Sequence, residues 1–97
     1  MSDKNQWKPI YEKIIDSSIV DKLLEVAEIV GSNRKAHVFC QRAVQDLTGS
    51  LISVDGRFGD QTVDAINFAV RSGMAKQLRM TIAHYAANYI QLPVSPS

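Results

Sequence analysis

The sequence predicts an all-α protein, a compact bundle of about five helices joined by short connections and one glycine-rich loop. Three observations predict it. Apolar residues recur at helical spacing through most of the 97 residues. Residues that start and stop helices bracket each periodic stretch. The one candidate for extended backbone, Leu51-Ile52-Ser53-Val54, is long enough only for the arm of a tiny hairpin.

Met1–Gln6 is polar and reads as a loose start. A short helix follows from Trp7 to Ile14, with Pro9 tolerated in its first turn and Trp7, Ile10, Tyr11 and Ile14 on one docking face. Asp16-Ser17-Ser18 supplies capping oxygens for a second helix over Ile19 to Val30. There Ile19, Val20, Leu23, Leu24, Val26, Ala27, Ile29 and Val30 cover more than half the circumference, so it should be largely buried. Gly31 closes it as a left-handed cap, and Ser32-Asn33 opens the next.

The third helix is expected from about Arg34 to Leu47. Its buried stripe is Ala36, Phe39, Cys40, Ala43, Val44 and Leu47, while Arg34, Lys35, Gln41, Arg42, Gln45 and Asp46 face outward. Thr48-Gly49 ends it. A fourth helix runs from about Gln61 to Arg71 and stops at Ser72-Gly73. The fifth, from Met74 to Gln91, carries Leu78, Ile82, Tyr85, Ala86 and Tyr89 on its inner face and stops before Pro93. Val94–Ser97 reads as a loose tail, and residues 1–97 as a single domain.

Bulk properties narrow the function classes. Apolar residues make up 45% and charged residues 22%, ordinary globular composition. A net charge of +1 demands no polyanionic partner. No acidic residue follows Asp64, whereas Arg71, Lys76 and Arg79 do, so the last third is locally basic. Cys40 is the sole cysteine, so no internal disulfide forms and the fold stands on packing. Neither a secretory leader nor an apolar run of membrane length is visible. Synthesis in the cytoplasm without a signal peptide, and no membrane partner, are therefore the expectations.

Between the third and fourth helices lies Val54-Asp55-Gly56-Arg57-Phe58-Gly59-Asp60-Gln61-Thr62. Gly56 and Gly59 mark two sharp turns, and Phe58 between them reads as a plug driven into the core. Asp60 stands where the fourth helix begins, its carboxylate placed to cap the helix through a backbone N–H two or three residues on.

Catalytic chemistry finds little material. Glu25 and Glu28 share a helix face, but nothing near them suggests the cleft that paired carboxylates need. His37 lies one turn from Cys40, which falls on the apolar stripe and reads as a buried, inert thiol. One cysteine and the two separated histidines, His37 and His84, make no zinc site. Asp55, Gly56 and Asp60 lack the alternating ligands of a calcium loop, and the glycines lack the Lys-Ser/Thr of a phosphate loop. No cofactor, no metal and no enzymatic activity are expected. The short turn at Gly31-Ser32-Asn33 would suit a helix-turn-helix, but only Arg34 and Lys35 open its second helix, and the near-neutral charge disfavours nucleic acid. Trp7, Tyr11, Tyr85 and Tyr89 offer faces on which sugars could stack, although their helical spacing also suits a core role, with Trp7 partly exposed.

The nonapeptide Val54–Thr62 resembles the V-D-G-x-x-G-x-x-T signature of helical peptidoglycan-binding domains. Upstream, Ala36-His37-Val38-Phe39-Cys40-Gln41-Arg42-Ala43-Val44 resembles the A-x-x-x-x-Q-R-A helix of those domains. Trp7-Lys8-Pro9-Ile10-Tyr11 and the helix through Leu24 resemble the segment joining the catalytic and binding halves of phage-type N-acetylmuramidases, so about residues 7–90 are covered. Two departures stand out: Asp60 occupies the position where the family usually has proline, and the E-G-G motif of the catalytic half is missing.

The resemblance implies a non-catalytic peptidoglycan-binding module of phage or bacterial lysin type, acting at the cell wall after release. On that reading Asp55, Arg57, Gln61 and Arg71 contact the ligand, and Gly56, Phe58, Gly59, Asp60 and Thr62 shape the loop. The alternative is a small phage-type helical module that binds protein, either a lysin subunit or a host protein it inhibits.

Overall fold

The computed structural model describes residues 3–91, with side chains described from Trp7 to Ile90. It is all-α: α1 spans Asp3–Tyr11, α2 Ser17–Val30, α3 Asn33–Thr48, α4 Asp60–Arg71 and α5 Ala75–Gln91. No strand occurs among the described residues, and the Leu51–Val54 run is open loop with Leu51 almost fully exposed. The expected loose tail, and the stop before Pro93, lie outside the described residues.

Helices α2, α3 and α5 pack against one another and enclose the core. Ile19, Leu23, Val26, Cys40, Val44, Leu78 and Ile82 are all sealed from solvent there. Replacing any one of the buried Leu or Ile side chains with Ala would cost about 2–5 kcal/mol. Helix α4 lies against α3 and α5 and inserts Ile66 and Ala69. Helix α1 touches α4 lightly.

Local chemistry accounts for most boundaries. Asp16 is extended and accepts the Ser18 N–H at 2.9 Å, capping α2. Ser32 accepts the Lys35 N–H at 3.1 Å and caps α3. Gly31 and Gly49 close α2 and α3 in the left-handed conformation, returning their N–H groups to Ala27 and Gln45.

Four expectations are corrected. Helix α1 begins at Asp3, not Trp7: apolar spacing marks only the part of a helix that packs, so a polar first turn leaves no such signal in the sequence. Pro9 therefore sits well inside the helix, which ends at Tyr11. The cap of α4 is Gly59, with no side-chain hydrogen bond, and Asp60 is the first helical residue instead. The Asp60 carboxylate meets the Lys13 ammonium at 3.0 Å on the surface. Tyr89, assigned to the inner face of α5, is 40% exposed.

The α1–α2 connection is pinned by Asn67, which is buried. Its amide oxygen accepts the Ile15 N–H and its nitrogen donates to the Lys13 carbonyl, both at 3.0 Å. One side chain of α4 thereby anchors both backbone partners of the turn that follows α1.

Candidate functional site: the Val54–Thr62 loop

The loop is built around Gln41. This residue was expected to face solvent, but its position one turn after His37 and one before Val44 places it on the inner stripe of α3, where it is fully buried. Its oxygen accepts the Asp55 N–H at 3.1 Å and the Gly56 N–H at 2.9 Å. Its nitrogen donates to the Arg57 carbonyl at 2.8 Å and to the Thr62 hydroxyl at 3.1 Å. A primary amide has two donors and two acceptor sites, and all four are used.

Gly56 is buried with φ +82°, a conformation that L side chains rarely adopt. A Cβ there would also stand 2.6 Å from the Cγ of Arg34, which lies across the turn. Gly59 differs: its φ of −121° suits any residue and no atom crowds its Cβ position. The second sharp turn expected at Gly59 is therefore absent.

Phe58 points inward, as the turn chemistry predicts, and is buried. Its ring meets His37 at 4.5 Å between centroids and Tyr11 edge-on at 5.5 Å. Trp7, half-buried, closes the cluster edge-on to His37 at 4.5 Å. The Tyr11 hydroxyl and Nε2 of His37 share a buried hydrogen bond at 2.7 Å. Nδ1 is buried without a hydrogen-bond partner. Burial pushes the His37 pKa down to about 4, against a smaller upward pull from the Gly56 backbone. Burial likewise raises the Tyr11 hydroxyl well above its ordinary value, with Cys40 adding to it. The Cys40 thiol, pushed up to about 12 by burial, is inert.

Outward, the loop and the first turn of α4 enclose a shallow cleft of about 340 Å³, lined by Ile52, Ser53, Asp55, Arg57, Asp60 and Gln61 among others. Asp55 uses one carboxylate oxygen to accept the Arg57 N–H at 2.9 Å, an Asx turn that leaves its other oxygen toward water. Arg57 and Gln61 are exposed, and their side chains make no hydrogen bond or ion pair with the described residues. Asp55, Arg57 and Gln61 are thus brought together. Arg71 is not: it closes α4, about 16 Å along the helix axis from Asp60.

Two other surfaces bear on the sequence reading. Between α1 and α2 a groove of about 450 Å³ has Tyr11, Ile14, Val20 and Leu24 as its floor and Lys8, Glu12 and Asp21 at its rim. On the α3–α5 face, Phe39 stacks near Tyr85 and Tyr89, the Lys35 ammonium lies 5.1 Å over the Tyr89 ring, and Tyr85 donates to Asp46. Among the described residues, no group of His, Cys, Asp and Glu is placed to hold a metal ion, and no helix is long and apolar enough to cross a membrane.

Sequence reasoning passed over Gln41 and Asn67, the two amides that position the loop and the α1–α2 turn. The available signal was spacing: His37, Gln41, Val44 and Thr48 recur at helical intervals on one stripe. Comparison with protein-family models, with curated proteins and with solved structures returned no significant match to this chain.

Proposed function

We propose that the chain is a non-catalytic module that binds peptidoglycan through the Val54–Thr62 cleft, acting at the cell wall after release from the cell. One observation carries the reading: the signature-like loop is held from behind by Gln41 and Phe58, while Arg57 and Gln61 project from it with no partner among the described residues. A rigid backbone presenting unpaired donors is what binding needs, since little conformational freedom is lost when a ligand arrives. Retention on purified sacculi tests it. The protein should co-sediment above a control of equal charge, and equal sedimentation would remove the reading.

A protein-binding role is the second reading, supported by the α1–α2 groove. Its apolar floor and charged rim are the features of a pocket that takes a side chain from a protein partner, such as a lysin subunit or a host protein. Affinity capture that returns one stoichiometric partner, together with no sacculus retention, would favour this reading over the first.

A further inference from the structure

The chemistry of the cleft distinguishes between the two components of the wall polymer. A pyranose ring presents an apolar face that aromatic side chains meet by stacking. No residue lining the cleft is aromatic. Phe58, the only ring on the loop, is turned into the core against His37 and Tyr11. Of the accessible rings among the described residues, Tyr85 and Tyr89 group with Phe39, and Phe68 stands on α4 about two turns beyond Gln61, outside the cleft lining. Phe39 and Gln41 are two residues apart on α3, about 200° around the helix, so that aromatic face looks away from the cleft.

What the cleft does present is charge of both signs at short range. Arg57 contributes a guanidinium that is unpaired among the described residues. Asp55 contributes a carboxylate with one oxygen committed to the Arg57 N–H and the other open. Asp60 is already neutralised by Lys13. A cation and an anion two residues apart on a fixed turn match a zwitterion, and Gln61 and the Ser53 hydroxyl add amide-directed hydrogen bonding.

We infer that the cleft reads the peptide arm of the polymer, not the glycan: a short peptide whose free carboxylate meets Arg57 and whose free amine meets Asp55. The inference rests on the wall-binding reading given above. Ile52 supplies the one large apolar contact, suited to a small aliphatic side chain between the two charged ends.

Competition for sacculus retention tests it. The probes are a synthetic stem tetrapeptide with a free C-terminal carboxylate and a free side-chain amine, its C-amidated form, its side-chain N-acetylated form, and chitotetraose. The free tetrapeptide should displace the protein and chitotetraose should not. Blocking either end of the peptide should weaken displacement about two- to fivefold, the upper part of the range for a solvent-accessible ion pair. Arg57→Gln should abolish discrimination between the free and C-amidated peptides. Asp55→Asn, which keeps an oxygen for the Arg57 N–H, should abolish discrimination between the free and N-acetylated peptides. Displacement by chitotetraose, displacement by neither probe, or equal displacement by blocked and free peptides overturns the inference while wall binding stands. No retention on sacculi removes wall binding itself, and the inference with it.

Discussion

The side-chain oxygen of Gln41 accepts the backbone N–H of Gly56 at 2.9 Å, and this bond ties the α3 helix to the one left-handed residue of the loop. The same oxygen takes the Asp55 N–H, so two consecutive amides converge on one acceptor. Gln41→Met, which keeps the volume and removes the polar end, strands both N–H groups, the Arg57 carbonyl and the Thr62 hydroxyl. Unsatisfied buried groups cost about 1–3 kcal/mol each, with part recovered where water reaches the loop, so a net loss of about 3 kcal/mol is expected. Chemical denaturation measures it. Hydrogen exchange at Asp55 and Gly56 should accelerate beyond the global change, because these two amides lose their acceptor outright.

The two loop glycines should respond differently to the same substitution. Gly56→Ala forces a β-carbon into a φ of +82° and against Arg34, whose flexible side chain can move aside while the backbone strain stays. A loss of about 1–2 kcal/mol is expected. Gly59→Ala meets an ordinary φ of −121° and open space, and should be neutral or slightly stabilising, within about 0.5 kcal/mol. Thermal melts of the two variants side by side check this, and equal destabilisation would contradict the conformations described.

The aromatic cluster behind the loop makes stability depend on pH in a defined window. His37 is neutral when folded, with a pKa near 4, whereas an exposed histidine in the unfolded chain titrates near 6.5. The unfolded state therefore binds the extra proton first as pH falls. The contribution is complete above about pH 6.5, declines between 6.5 and 4, and reaches about 3 kcal/mol. The lowered carboxylate of Asp16 is lost only at still lower pH, as the medium passes below the ordinary aspartate value. Denaturation midpoints at pH 7, 5.5 and 4 should fall in step, and the double variant Tyr11→Phe, His37→Phe should flatten this window where Asp16→Asn does not.

How much of this could be read in the sequence follows from the range of the interactions. The helix caps at Asp16, Ser32, Gly31 and Gly49 depend on neighbours within a few residues, so residue type and spacing sufficed. The inward turn of Phe58 was readable for the same reason, as an apolar residue held in a polar turn. Gln41 and Asn67 were not, because a buried amide is recognised only through partners 14 to 54 residues away. The role of Asp60 was misread by one position for a related reason: an aspartate at the cap and one at the first helical residue look alike in sequence, and its partner Lys13 lies 47 residues back. Arg71 shared the last helix turn with no site residue, yet its charge alone suggested a place in the site.

The division between residues that shape the loop and residues that face outward yields the sharpest functional test. Arg57 and Gln61 have exposed side chains without partners among the described residues, so Arg57→Ala and Gln61→Ala should leave the melting temperature unchanged, within about 0.5 kcal/mol of stability. On the proposed function, sacculus retention should nevertheless fall several-fold for each, and further for the pair. Arg71→Ala removes a charge of the same kind about 16 Å away along α4 and should leave both stability and retention unchanged. Equal losses from Arg57→Ala and Arg71→Ala would mean that retention reports net charge and not the cleft, because removing either arginine changes the net charge equally while only Arg57 lines the Val54–Thr62 loop.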